Sequence, residues 1–217
     1  MSKIAIVGGH GQIALHLIEQ LTAHGHEPVA LVRRTEHVTD VEQRGAQARM
    51  LDIEQQDAGA FAAAFEGCDA VVFAAGGGAD GDIERKRTVD LEGSLKTIEG
   101  AKQAGISRVV QISAIGVDEP LPEDTEDVWK AYVQAKRDAD AALRDSGLDW
   151  TIVRPGRLTD DDPTGSVQLG GDVERSEVPR ADVAAVIAET LTTGAGVGAQ
   201  WNLVSGDEPV ASAVANA

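Results

Sequence analysis

The stretch AYVQAK, residues 131–136, contains a tyrosine and a lysine at a spacing suited to proton transfer. Residues four positions apart are neighbours on one face of a helix, so the ammonium group of Lys136 would lie close to the phenol of Tyr132. A free phenol has a pKa near 10, and a neighbouring positive charge favours the phenolate. The pair therefore predicts a tyrosine whose pKa is lowered toward neutrality and which acts as an acid or base. The alternative is a tyrosine packed against a sheet beside a solvated lysine.

The elements around this pair follow from hydrophobic periodicity. Short apolar, β-branched runs predict strands at residues 3–8, 28–32, 46–51, 70–74, 108–112, 149–153 and 200–204. Apolar residues at three-to-four spacing predict helices at 12–24, 57–65, 82–104, 126–146 and 180–193. Because the strands are continuous apolar runs, both faces of the sheet should be covered. The sequence thus predicts an α/β fold with a doubly wound parallel sheet in one domain, residues 1–210, including a short substrate cap at 156–179. Residues 211–217 are expected to be a frayed tail.

Composition excludes several classes of function. The chain of 217 residues has 36 acidic and 19 basic side chains, a net charge of −17 that disfavours nucleic acid and anionic membrane surfaces. The acidic excess is spread along the chain, which is compatible with solubility at high salt. The single cysteine, Cys68, excludes an internal disulfide and favours a reducing, cytoplasmic location. No signal sequence, long apolar run or metal-ligand spacing among the five histidines is recognised, so neither membrane anchoring nor a metal is expected.

The first predicted strand leads into a glycine-rich turn, GGHGQIA, at residues 8–14. Gly8 permits a tight turn, Gly11 lets backbone approach a pyrophosphate, and Ala14 lets the following helix pack close to the sheet. The N-terminus of that helix offers N–H groups and a positive dipole end to phosphates. The pattern predicts a dinucleotide site whose first residues are Gly8, His10, Gly11, Gln12 and Ile13. The alternative is a turn with a structural role alone.

The residues after the second strand indicate which dinucleotide is bound. About 20 residues past the glycine motif, an acidic side chain would hold the ribose 2′-hydroxyl of NAD. Arg33 and Arg34 occupy that place, and their guanidinium groups suit a 2′-phosphate. NADP(H) is therefore favoured over NAD(H). One arginine could instead face solvent, and Glu36 could contact a ribose.

Several motifs in register resemble one known family. These are GGHGQIA, the RR after the second strand, LDI at 51–53, VVFAAGGG at 71–78, VVQISAIG at 109–116, YVQAK at 132–136 and IVRPGRLT at 152–159. Together they are similar to the short-chain dehydrogenase/reductase superfamily, and more narrowly to its compact atypical NAD(P)-binding members, relatives of the epimerase and reductase types. The resemblance covers residues 3–205.

The resemblance implies further cofactor contacts. Asp52 and Ile53 would border the adenine, and Pro155 and Gly156 would lie beside the nicotinamide. The end of the fourth strand would line the ribose with Ala74, Ala75 and Gly76. Lys136 would hydrogen-bond the ribose hydroxyls.

The resemblance also implies catalytic roles. Ser113 matches the serine that binds the substrate carbonyl, and Tyr132 and Lys136 match the catalytic tyrosine and lysine. Asp90 stands where the family usually has an asparagine, so an acceptor-only carboxylate replaces an amide that can also donate. This departure leaves the Tyr–Lys pair in place but alters the usual proton relay. No G-x-S-x-G elbow surrounds Ser113, which argues against a hydrolase triad.

These features predict an NADP-dependent oxidoreductase that transfers a hydride between nicotinamide and a small carbonyl or related substrate. A small-molecule substrate is then the expected partner, and the protein would be a monomer or homodimer. One alternative is a nucleotide-sugar epimerase or dehydratase, although the chain lacks the larger substrate domain of those enzymes. The other is a regulatory protein that senses NADP without turning it over; Asp90 and the short cap favour it.

Overall fold

The structure, a computed structural model, describes residues 1–78 and 82–217. Its strands are β1 (Lys3–Val7), β2 (Glu27–Val32), β3 (Gln47–Met50), β4 (Ala70–Phe73), β5 (Arg108–Ile112), β6 (Asp149–Pro155), β7 (Arg157–Thr159), β8 (Ser166–Gly170), β9 (Glu177–Pro179), β10 (Ala199–Ser205) and β11 (Glu208–Pro209). The α-helices are α1 (Gln12–Ala23), α2 (Val38–Gln43), α3 (Ala58–Ala64), α4 (Ile83–Arg85), α5 (Glu92–Gln103), α6 (Asp127–Arg144), α7 (Arg180–Thr193) and α8 (Val210–Asn216). A 3₁₀ turn covers Thr35–His37, and a π-helical segment covers Lys86–Leu91.

The main sheet has the order β11, β8, β10, β6, β5, β4, β1, β2, β3. The strands from β3 to β10 in this order pair in parallel, while β8 pairs antiparallel with both β10 and β11. Strand β1 is followed by β2 on one side of it, whereas β4 pairs on its other side. Successive strands are therefore added to one side of β1 up to β3 and to its other side from β4 onward. At this β1–β4 boundary a crevice forms beyond the carboxyl ends of the strands.

Apolar side chains cover both faces of the sheet, as predicted. Within β1, Ile4 and Ile6 belong to one buried cluster, and Ala5 and Val7 belong to the other. Helices α1, α7 and α8 close the first face, whereas α3, α5 and α6 close the second. This arrangement confirms the doubly wound α/β fold in a single domain.

The predicted frayed tail at 211–217 is wrong. The chain forms α8 there, with Ala213 and Val214 buried in the same cluster as α7. Small residues such as these carry a weak periodic signal, and the contact that stabilises the helix is supplied by α7 and β8.

Two further predictions require correction. The predicted helix at 82–104 is not continuous, because the π-helical segment Lys86–Leu91 separates α4 from α5. The predicted cap at 156–179 is only partly separate from the main sheet. Its central segment forms β8 inside the main sheet, and only β7 and β9 make an additional two-stranded sheet.

Candidate dinucleotide and substrate site

The glycine-rich turn joins β1 to α1 with a backbone that depends on glycine. Gly8 has φ +80°, and a Cβ added there would lie 2.8 Å from the Cα of Ala75. Gly11 is the N-cap of α1 and provides no side-chain cap, so the first-turn N–H groups of the helix lack that partner. Among the described residues beyond its own chain neighbours and helix, a Cβ built on Gly11 would meet the backbone oxygens of Gly8 at 3.3 Å and Ala74 at 3.7 Å. The turn therefore fits the close approach of a phosphate group to the helix N-terminus.

A first cavity of about 350 Å³ opens beside this turn. It lies at the carboxyl ends of β1, β2, β3 and β4. The predicted cofactor residues that line it are Gly8, His10, Gly11, Arg33, Asp52, Ile53, Ala74, Ala75 and Gly76. The elements thus bring together nine predicted residues from four segments of the chain, at the carboxyl edge of the sheet where open α/β folds bind ligands.

The two arginines after β2 have different positions. Arg33 lines the first cavity, and its Nη1 lies 3.1 Å from Glu54 Oε2. Arg34 does not line the cavity and pairs with Glu36 at 3.7 Å, with its side chain 55% exposed. A 2′-phosphate in the first cavity would therefore meet Arg33 first.

A second cavity of about 650 Å³ shares Ala74, Ala75 and Gly76 with the first. It contains all four predicted catalytic residues, Asp90, Ser113, Tyr132 and Lys136, together with Ile13. The shared strand end means that one extended ligand can occupy both cavities. The residues present therefore fit a dinucleotide.

Lys136 is held by a buried ion pair. Its Nζ lies 3.2 Å from Asp90 Oδ1 and donates to the backbone oxygen of Ile112 at 3.2 Å. The other oxygen of Asp90 accepts from the amide of Gly77 at 2.8 Å. Burial opposes the charged form of Lys136, but the acidic groups around it, Asp90 foremost, together outweigh this effect and raise the pKa of the lysine. Asp90 thus fixes both the lysine and the glycine-rich segment after β4.

The expected lowering of the Tyr132 pKa toward neutrality, which also counted on a positive nicotinamide ring nearby, is not produced by Lys136 alone. Burial raises the pKa of Tyr132, and although Lys136 lowers it, the carboxylates of Asp90 and Asp140 raise it further. The phenol is therefore protonated at neutral pH. Sequence reasoning considered the lysine but not the carboxylates that offset its charge.

Ser113 lies at the end of β5, and its hydroxyl is directed into the protein. Its Oγ lies 2.7 Å from Asp140 Oδ2, which also accepts from Arg154 Nε at 2.9 Å, while Asp140 Oδ1 accepts from Gln111 Nε2 at 2.7 Å. A carboxylate only accepts, so the single hydroxyl proton of Ser113 is donated to Asp140. Ser113 then offers lone pairs, not a proton, to a ligand.

Four predicted cofactor residues do not line either cavity. Gln12 is exposed and donates to Asp160 Oδ1 at 3.3 Å, and Arg34 faces solvent. Pro155 is buried at the end of β6. A Cβ on Gly156 would lie 2.0 Å from the backbone oxygen of Ser176, so this glycine permits close backbone packing.

The second cavity also contains residues that sequence reasoning missed. Lys86, Trp129, Leu158 and Arg180 line it, and the ring of Trp129 lies 5.1 Å from that of Tyr132 between centroids. Spacing offered some signal, since Lys86 precedes Asp90 by four residues and Asp140 follows Lys136 by four. Leu158 lies in the predicted cap, whereas nothing in the sequence indicated that Arg180 would line this cavity.

Within residues 1–78 and 82–217, no helix is long and apolar enough to cross a membrane. In the same part of the chain, His, Cys, Asp and Glu side chains form no group of three suited to a metal ion.

Comparison with known proteins shows the family of this chain. A model of the NAD(P)H-binding family matches residues 8–194. The chain belongs to this family. The Bacillus subtilis protein named uncharacterized sugar epimerase YhfK is 35% identical over 213 residues, with 98% of each chain covered. The family assignment confirms the resemblance to atypical short-chain dehydrogenases/reductases.

Solved structures of relatives share the whole fold. A Bacillus halodurans protein named as an NAD-dependent epimerase/dehydratase has a TM-score of 0.92 at 35% identity and covers 100% of each chain. The oxidoreductase ylbE of Lactococcus lactis has a TM-score of 0.87 at 28% identity, covering 98% of this chain and 95% of its own. This NAD(P)H-binding protein is therefore oxidoreductase- or epimerase-like.

Proposed function

We propose that this protein is an NADP-dependent oxidoreductase that reduces a small carbonyl or related compound. The observation that carries the proposal is the position of Tyr132 and Lys136 in a cavity that joins the dinucleotide cavity at Ala74–Gly76. In this family a bound dinucleotide supplies a hydride at its nicotinamide. The residues of the chain would bind the two ligands, orient them and supply a proton.

Tyr132 acts as the proton donor in this proposal. Its raised pKa keeps the phenol protonated at neutral pH, which suits an acid that protonates a substrate oxygen during reduction. Lys136, whose ammonium lies 6.0 Å from the centre of the Tyr132 ring, stabilises the phenolate left after proton transfer. The pair would therefore favour reduction over oxidation at neutral pH.

The carboxylates around the pair act by positioning. Asp90 holds Lys136 beside the tyrosine, and Asp140 fixes the hydroxyl of Ser113 as an acceptor. With Ser113 unable to donate, Tyr132 is the hydroxyl that donates to a substrate oxygen. Loss of the Tyr132 hydroxyl should therefore remove turnover while leaving dinucleotide binding in place.

The test is a binding titration with NADPH and NADH, followed by NADPH oxidation with a panel of aldehydes, quinones and flavins. Wild type is compared with Tyr132→Phe, which keeps the ring and removes the hydroxyl. We expect NADPH to bind more tightly than NADH and Tyr132→Phe to lower turnover by about two orders of magnitude or more. Equal turnover in both proteins would exclude Tyr132 as the acid, and absence of dinucleotide binding would exclude the function.

A second candidate, an NADP sensor without turnover, is favoured by one feature of the second cavity. Lys136 is already paired with Asp90, and the proton of Ser113 is already donated to Asp140. Tight NADPH binding without turnover in either protein would support this candidate over the oxidoreductase.

A further inference from the structure

Two histidines form a stacked pair in the wall of the first cavity. His10 comes from the glycine-rich turn and His37 from the 3₁₀ turn after β2. Their ring centroids lie 3.7 Å apart and the ring planes differ by 5°. Both residues line the cavity together with Arg33, and neither lines the second cavity. The pair thus belongs to the corner where the ribose 2′-position of a dinucleotide would lie.

The charges of this corner are balanced without the histidines. Arg33 faces Glu54 at 3.1 Å, and Arg34 faces Glu36 at 3.7 Å. The remaining charged residues that line the cavity are Arg85 and Asp52, one of each sign. A phosphate dianion at this corner would meet no net positive charge unless another group supplies it.

His10 is oriented by a carboxylate. Its Nε2 lies 2.9 Å from Asp40 Oδ2, and the other oxygen of Asp40 accepts from Arg44 Nε at 3.2 Å. Burial opposes ionisation of Asp40, but the hydrogen bonds from Arg44 and His10 prevail and lower its pKa. Because a carboxylate only accepts, Nε2 of His10 donates the hydrogen bond to Asp40.

The surroundings of His37 disfavour its protonated form. Burial lowers the pKa of His37, and His10 lowers it further, as two imidazolium rings at stacking distance repel each other. The charged groups around it act in both directions: Glu36 and Asp40 raise its pKa, and Arg34 lowers it. A phosphate placed against the ring would strongly raise the pKa of His37.

We propose that His37, stacked on His10, is a specificity residue that binds the 2′-phosphate of NADP(H) together with Arg33 and gains a proton on binding. This inference rests on the proposed dinucleotide function and extends it to a residue for which the sequence motifs gave no role. It gives the protein a preference for NADPH over NADH that increases as pH falls from about 8 to about 6.5.

The direction of the pH effect separates this proposal from binding by arginine alone. A phosphomonoester has its second pKa near 6, so its dianion is lost as pH falls. Arginine keeps its charge throughout this range, and recognition by arginine alone would weaken toward low pH. Recognition by His37 strengthens over the same interval, because a bound phosphate raises the pKa of His37 and the complex takes up a proton, while most of the phosphate is still a dianion above a pH of about 6.

The experiment is isothermal titration calorimetry of the whole protein with NADPH and NADH at about pH 6.5, 7.2 and 8. Each titration is repeated in two buffers of different ionisation enthalpy, which measures the protons taken up on binding. The variants are His37→Gln and His10→Gln, and His16→Gln is the matched control. His16 is exposed on α1 and lines neither cavity.

Wild type and the control should take up more protons with NADPH than with NADH at about pH 7.2. In His37→Gln this excess should disappear, and the NADPH preference at about pH 6.5 should fall roughly tenfold with NADH affinity retained. His10→Gln should raise the pH at which NADPH affinity increases, because His37 no longer stacks on a second basic ring. Retained NADH binding shows that each variant is folded.

An unchanged NADPH preference and unchanged proton uptake in His37→Gln would overturn the proposal while leaving dinucleotide binding intact. Failure of wild type to bind either dinucleotide would overturn the proposed function and this inference together.

Discussion

The two cavities meet at Ala74, Ala75 and Gly76 but differ in how far their charged side chains are exposed to solvent. In the first cavity, the side chains of Arg33 and Glu54 are 42% and 23% exposed, and water shares their charge. In the second, Lys136 and Asp90 are 6% and 1% exposed and depend on each other. An exposed charged side chain can exchange its protein partner for a ligand at small cost in free energy. Removing one member of a buried ion pair, in contrast, leaves the other charge buried without a partner and destabilises the protein.

This difference separates recognition from chemistry. The solvated pairs of the first cavity suit discrimination between two related dinucleotides by modest changes in affinity. The buried pair of the second cavity suits a fixed arrangement around the substrate and the phenol of Tyr132. Substitutions in the two regions should therefore differ most in their effect on protein stability.

The largest expected effect is on the buried pair. Lys136→Met should lower the free energy of unfolding by about 3 to 5 kcal/mol, because it leaves the carboxylate of Asp90 buried without a cation. The double variant Asp90→Asn/Lys136→Met should recover most of this loss. Urea denaturation of both variants measures the two values.

The matched control lies in the first cavity. Arg33→Ala removes one partner of a solvated pair and should change the free energy of unfolding by less than about 1 kcal/mol. Similar losses for Arg33→Ala and Lys136→Met, or a double variant as unstable as Lys136→Met, would contradict the contrast between the cavities.

The next effect concerns cofactor choice. Arg33→Ala should weaken NADPH about tenfold and NADH much less, because a charge-assisted contact to the 2′-phosphate is lost. Arg34→Ala should change either affinity by less than about threefold, since Arg34 lies outside the cavity. Titration of both dinucleotides against both variants gives the comparison. Equal weakening of NADPH and NADH by Arg33→Ala would mean that the 2′-phosphate lies elsewhere.

Much of the first cavity was predictable from sequence, because local patterns determine it. The glycine motif, the paired arginines and the β-branched strands are each recognised from a few consecutive residues. The parallel arrangement of the strands then brings their carboxyl ends together, so Gly8, Arg33 and Ala74 meet as expected. His37 was missed because its role depends on stacking against a residue 27 positions earlier.

The second cavity was less predictable, because its state depends on contacts between distant elements. Sequence identified Ser113, Tyr132 and Lys136 but not the offset of the lysine by Asp90 and Asp140. The π-helical segment that carries Asp90 lies inside the stretch 82–104, for which the sequence predicted one regular helix. Likewise, α8 and β8 are stabilised by partners that the local sequence does not reveal.

The smallest expected effect is the change in stability that accompanies ionisation of Tyr132. Because Tyr132 is the only tyrosine in the chain, phenolate absorbance reports the ionisation of this residue alone. The pKa of Tyr132 should be higher in the folded protein than in the urea-unfolded protein, because burial and the two carboxylates outweigh Lys136. Since the folded state then holds the proton more tightly, Tyr132 contributes stability that is complete below the unfolded pKa of about 10 and is lost as pH rises through the folded pKa.

Tyr132→Phe provides the control for this linkage, because it removes the titrating proton and keeps the ring against Trp129. Its stability should decline less than that of wild type above about pH 10, while the two proteins should follow the same course at lower pH. A folded pKa below that of the unfolded chain would show that Lys136 dominates the phenol after all. In that case Tyr132 would be poised as a base, and the second cavity would favour oxidation of an alcohol over reduction of a carbonyl.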